Sequence, residues 1–192
     1  MNDKQLRTHL LKKFRNPRKG HVPTIIEEFG VNHGQARADI AVFSDLIHGY
    51  ELKSDLDSLE RLENQIRAYS ECFDKVTLVT SYKHAAHALR MTPEWWGVIL
   101  AHEGKRGGIK LSEARTALKN PRMNPVALSR LLWRDEALDL LTKFSAQAGL
   151  LSKPRKEIYD RLAETVPLEE IRAHIIACVK TRKWSRVAAL ST

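Results

Sequence analysis

Residues 37–53 read RADIAVFSDLIHGYELK, and apolar and polar side chains alternate along them. Ala38, Ile40 and Val42 alternate with Asp39, Ala41 and Phe43; after a break, His48, Tyr50 and Leu52 alternate with Ile47, Gly49, Glu51 and Lys53. A period of two is the mark of a strand, so the stretch reads as two antiparallel strands joined by a turn at Ser44, Asp45 and Leu46. Centring the pairing on Asp45 sets Asp39 opposite Glu51. Cross-strand partners lie roughly 5 Å apart at Cβ, where like charges repel, so this pairing calls for a cation between the two carboxylates. Lys53, two residues past Glu51, projects from the same face and completes a converging Asp, Glu and Lys.

Hard divalent cations favour carboxylate oxygens, and Mg²⁺ binds through one or two of them together with waters and a substrate phosphate. Asp39 and Glu51 are thus the expected ligands of Mg²⁺ or Mn²⁺. A metal held there would activate water and offset charge on a phosphodiester, with the Lys53 ammonium beside it, so the three residues predict phosphodiester hydrolysis. The alternative is a solvated strand face on which Lys53 merely neutralises exposed acids.

The chain has 192 residues, long enough for one compact domain or a domain with a smaller appendage. Its 32 Lys and Arg against 23 Asp and Glu give a net charge of +9, which points to a polyanionic partner. The basic residues follow no pattern, which for a nucleic acid favours recognition of backbone or shape over base readout. Cys72 and Cys178 lie far apart with no metal-site spacing and suit a reducing compartment. No apolar run is long enough for a membrane span and no signal-peptide core opens the chain, so a cytoplasmic location is expected.

Along the chain, Asp3 to Phe14 has the apolar spacing of a helix, followed by a basic loop, Arg15 to Gly20, that could touch a phosphate backbone. Thr24 to Phe29 reads as a strand in which Glu27 and Glu28 point to opposite faces, so one of them can reach the metal. Asn32-His33-Gly34 forms the turn into the hairpin. Asp57 and Glu60 have capping-box spacing for a helix running to about Phe73, on which Gln65 and Tyr69 share a side. Val76–Thr80 suits a strand covered on both faces and parallel to its neighbour. A short helix from His84 to Leu89 precedes Trp95-Trp96, which either close the core or stack on bases, and then strands at Gly97–Ala101 and Ile109–Leu111. The Lys105-Arg106-Gly107-Gly108 turn is a second basic tip. Beyond Pro121 the pattern is helical, with Asn124 capping a helix from Val126 through Phe144 and two more following Pro154 and Pro167. Arg182, Lys183 and Arg186 flank Trp184 near the end.

Asp39, then Glu51-Leu52-Lys53 on the next strand, resembles the D…(D/E)-x-K signature of the PD-(D/E)XK nuclease superfamily. Gln65 to Tyr69 resembles the Q-x-x-x-Y motif of its RecB-like and Holliday-junction-resolvase-like branches. Ala38 stands where the name-giving proline would be. The resemblance covers about residues 1–100 and implies an α/β fold: a restriction-endonuclease-like α/β/α core with a mixed sheet over residues 1–118, followed by a helical C-terminal extension over 119–192. It also implies a Mg²⁺- or Mn²⁺-dependent deoxyribonuclease of repair, recombination, phage or mobile-element biology, and a possible homodimer. Asp39 and Glu51 would hold the metal and Lys53 would stabilise the pentavalent phosphate or orient the water. Gln65 would act beside the metal-bound water, and one of Glu27 and Glu28 would join, with Glu28 preferred. Two other readings compete: a non-catalytic nucleic-acid-binding or accessory module on the same fold, and a DNA-binding regulator carried by the C-terminal helices.

Overall fold

A computed structural model describes residues 1–14, 22–104 and 108–182. The basic loop at Arg15–Gly20, most of the Lys105–Gly108 tip and the Lys183–Arg186 segment lie outside the described residues. The chain opens with α1 (Asp3–Phe14) and continues through strands β1 (Thr24–Val31), β2 (Ala36–Phe43) and β3 (Ile47–Lys53). Then come α2 (Leu62–Cys72), β4 (Lys75–Ser81), α3 (Ala85–Met91), β5 (Gly97–Glu103) and β6 (Ile109–Arg115). Four helices follow: α4 (Pro125–Ser129), α5 (Arg134–Lys143), α6 (Arg155–Thr165) and α7 (Leu168–Thr181). The fold is α/β, with one mixed six-stranded sheet in the order β1 to β6. Strands β1–β3 form an antiparallel meander, β3, β4 and β5 are parallel, and β6 returns antiparallel.

The hairpin has the expected turn and register, with Ile40 paired to Tyr50 and Phe43 to Ile47. The alternation of strand residues divides the core. Ile40, Leu52 and Val79 pack with Leu6 and Leu10 of α1, whereas Phe43, Ile47 and Leu78 pack with Tyr69 and Cys72 of α2. The sheet therefore lies between α1 and α2. Leucine, isoleucine and tyrosine side chains of α4–α7 join the α2-side cluster. Trp96 is fully buried in it, 6.1 Å from the parallel ring of Tyr69, so the Trp95-Trp96 pair closes the core and does not offer a base-stacking platform.

Three local expectations are corrected. Asp57 does not open a helix: its Oδ2 accepts from Ser54 N and Oγ, holding a turn, and α2 begins only at Leu62. The Val126–Phe144 helix is broken. Asn124 caps α4 as expected, but the chain turns at Leu131–Trp133, and Glu136 accepts from Trp133 N to start α5. Leu131 and Leu132, at the turn, are both buried in the core. The last strand is longer than expected, ending at Arg115.

Gly49 explains how α2 sits on β3, because a Cβ there would come within 2.6 Å of the Phe73 ring. With Phe73 seated, Tyr69, one turn earlier, reaches Glu51. Asp74, fully buried, ties the helical segment to the sheet: it accepts from Ile47 N at 2.9 Å and from Arg172 Nε of α7 at 2.8 Å. Arg172→Leu would leave that carboxylate buried without its cation. A loss of about 3–5 kcal/mol in urea unfolding is expected; a loss below roughly 1 kcal/mol would mean the pair does not hold α7 in place.

Candidate functional site

The β2–β3 pairing stops at Ile40 and Tyr50, although both strands continue. Past that point Leu52 N donates to the Asp39 carboxylate at 2.7 Å instead of to backbone, and the strands part. An open cleft of about 1020 Å³ lies here, bordered by α1, β1–β3 and α2. Asp39, Glu51, Lys53, Gln65 and Glu28, drawn together in the sequence reading, all line it.

Glu51 is the most enclosed of the cleft's acids, 2 % exposed. Its Oε1 accepts from Lys53 Nζ at 2.9 Å and Gln65 Nε2 at 2.6 Å, and its Oε2 accepts from the Tyr69 hydroxyl at 2.8 Å. Burial, with Glu51 beside it, pushes the Tyr69 phenol up, keeping it a proton donor. Gln65 Oε1 is buried and accepts no hydrogen bond from a described residue.

Asp39 stands between carboxylates on both sides. The β2–β3 register, extended by one pair, sets it opposite Glu51, and the β1–β2 register sets it opposite Glu28, which has the left-handed φ of 54°. A side chain there is strained by roughly 1–3 kcal/mol, and such strain is held only where surroundings over-determine it. Here Glu28 Oε1 takes Arg7 Nη2 at 2.9 Å and its Oε2 takes Arg37 Nε at 2.8 Å. Arg7 also donates to Asp39 Oδ1 at 3.0 Å and to the Asp39 carbonyl at 2.9 Å. Glu27 reaches Arg7 only at 3.8 Å and does not line the cleft.

Sequence reasoning missed Arg7. The like-charged Asp39–Glu51 pair demands a cation, but nothing local to the hairpin says that α1 supplies it. Its one trace is its place beside Leu6 on the border of the buried stripe. Even with Arg7 at hand, burial first and Glu51 second raise the Asp39 carboxyl to about 7. Among the described residues no three His, Cys, Asp or Glu side chains converge as a metal cage. Two carboxylates with an unengaged amide oxygen nearby are nevertheless a hard-oxygen donor set suited to a hydrated Mg²⁺ or Mn²⁺.

The raised Asp39 value has a definite consequence in chelator. The folded state holds this proton more tightly than the unfolded chain, so the group's contribution to stability is full below about pH 4 and is lost as pH rises through about 7. In denaturant unfolding from pH 4 to 8, Asp39→Asn is expected to flatten that decline, a difference on the order of a few kcal/mol. Parallel pH profiles for the two proteins would show that Asp39 is not so perturbed.

No solved structure matches the chain. Protein cII of Enterobacteria phage P4 is 26 % identical over 159 residues, 83 % of this chain and 59 % of the relative, so the chain spans less than two thirds of that protein's length. A family model described as Bacteriophage P4 protein cII matches residues 2–190. These matches overturn the PD-(D/E)XK assignment and, with it, the reading of the chain as a Mg/Mn-dependent deoxyribonuclease or other hydrolase. The phage context agrees with them. The physical source of the error is the brevity of the motif: D…E-x-K describes equally well a cleft wall whose acids are ion-paired to Arg7 and Lys53. Matched along nearly its whole length, the chain belongs to the bacteriophage P4 protein cII family.

Proposed function

We propose that the cleft is the DNA-binding site of a non-catalytic, accessory module that grips the phosphodiester backbone with the help of a divalent cation. The observation that carries this reading is Asp39, a carboxyl held near neutrality beside Glu51 and Glu28 in the open cleft of a chain with net charge +9. An acidic wall repels a polyanion, while exposed Arg37, Arg61 and Arg67 at the same cleft attract one. Asp39 and Glu51 would hold Mg²⁺ or Mn²⁺, which when bound supplies positive charge between the wall and a phosphate. Lys53 and Arg7 keep the two carboxylates in place, Gln65 offers its free amide oxygen to the cation's hydration shell, and the three exposed arginines contact neighbouring phosphates.

The order α1-β1-β2-β3-α2-β4, with the sheet between the two helices, supports a finer reading of residues 1–118 as a restriction-endonuclease-like core used for binding, with 119–192 as its helical extension. No helix among the described residues is long and apolar enough to cross a membrane. Free Cys72 and Cys178 suit work in the cytoplasm.

Anisotropy of a labelled DNA duplex tests this. Binding is expected to tighten severalfold when millimolar Mg²⁺ replaces chelator, with the DNA recovered intact. Asp39→Asn and Glu51→Gln should remove the Mg²⁺-dependent part alone. Replacing Arg37, Arg61 and Arg67 by Gln should weaken binding at every Mg²⁺ level and lower the salt slope by about 0.9 per lost phosphate contact. Binding indifferent to Mg²⁺ and to these substitutions, or cutting of the bound DNA, would overturn the reading.

A further inference from the structure

A second concavity, of about 330 Å³, lies behind the Asn32–Gly34 turn, where α4–α7 approach β1. It is lined by His33, Arg130, Trp133, Arg155, Tyr159 and Arg182 among others, and by no carboxylate. The cleft, in contrast, is lined by acids and bases together. Arg182 is neutralised by Glu136 at 2.5 Å. Arg130 donates to the neutral Asn32 Oδ1 at 2.9 Å, and neither it nor Arg155 pairs with a carboxylate of any described residue. Two guanidiniums facing one hollow without an anion between them form a site for a phosphate. Burial, then Arg130 and Arg155, lower His33, as expected of excess positive charge at this spot.

The hollow also has a wall suited to a base. Trp133 is 54 % exposed, in contrast to the buried Trp96. It is not loosely placed, because its backbone starts α5 and the Arg182 guanidinium lies 4.7 Å from its ring centre. The hydrogen bonds of Arg182 to Glu136 and to the Leu131 carbonyl fix that guanidinium in turn. A rigid indole left open to solvent beside unpaired guanidiniums matches the two parts of a nucleotide, a π-face and a phosphate. The volume suits one such unit. His33 and Tyr159, also in the lining, have ring centres 5.5 Å apart, with His33 at a φ of 56°.

We infer that this hollow binds one nucleotide unit of a single-stranded nucleic acid, its base against Trp133 and its phosphate between Arg130 and Arg155. A strand is favoured over a free nucleotide because the hollow and the cleft share Gly30 and Gly34, so a chain leaving one can continue into the other. The inference rests on the residues of the hollow and stands whether or not the cleft holds a cation.

The test uses the full chain in chelator, where cation-assisted binding at the cleft is absent. Short labelled oligo(dT) is titrated by anisotropy, and AMP and inorganic phosphate are titrated as competitors. Trp133→Leu is expected to weaken oligo(dT) binding roughly tenfold or more. Arg155→Gln should weaken it severalfold with a shallower salt dependence, while Arg161→Gln, an equal loss of charge elsewhere on α6, should change little. AMP should compete better than phosphate. If Trp133→Leu does not fold, Arg155→Gln decides, because that side chain makes no hydrogen bond or ion pair with a described residue. Unchanged binding in Arg155→Gln, or an equal loss in Arg161→Gln, would overturn the inference. Binding of AMP without oligo(dT) would overturn the strand and assign the hollow to a free nucleotide. Failure of the Mg²⁺ experiment leaves this chelator-resistant signal untouched, so the two readings fail separately.

Discussion

Three carboxylates from three adjacent strands, Glu28, Asp39 and Glu51, stand side by side where β2 and β3 part. Crowded acids in a partly buried wall must find cations or take up protons, and this fold does both. Arg7 reaches from α1 to Glu28 and Asp39, Lys53 pairs with Glu51, and Asp39 is left titrating near neutrality. The surrounding structure serves this arrangement. Gly49 admits Phe73, which seats α2 so that Tyr69 and Gln65 meet Glu51, and the carboxylate of Asp39 takes the Leu52 N–H.

Much of this was legible in residues 37–53. Period-two alternation and a three-residue turn fix the register, and register alone brings Asp39, Glu51 and Lys53 to one place. Elements with uninterrupted periodicity, such as Asp3–Phe14, were equally readable. Where the reading failed, a competing local hydrogen bond outweighed the pattern. Asp57 satisfies Ser54 instead of capping a helix, and the helical run breaks at Leu131–Trp133, where Glu136 takes the Trp133 N–H to start a new helix. Arg7 was invisible because, although it also pairs with Asp3 on its own helix, its partners in the acidic row, Glu28 and Asp39, lie 21 and 32 positions away in the chain. The nuclease assignment failed for another reason. Side-chain geometry at a few positions constrains charge and reach but not chemistry, and the match along residues 2–190 places the chain elsewhere.

The two concavities divide the labour that net charge only hints at. One is lined by acids and bases together; the other presents an exposed indole and two guanidiniums that no carboxylate of a described residue pairs. They meet at a turn whose three residues all have positive φ, so a short stretch of strained backbone forms the partition between them.

Asp39 and Glu51 are proposed to accept a divalent cation together. Paramagnetic broadening by Mn²⁺ in amide NMR spectra tests it most directly. Saturable loss of the Leu52 and Lys53 signals, reversed by excess Mg²⁺ and absent from the Asp39→Asn/Glu51→Gln protein, is the predicted result. Broadening that is unsaturable, spread over the surface, or unchanged in the double variant would contradict it.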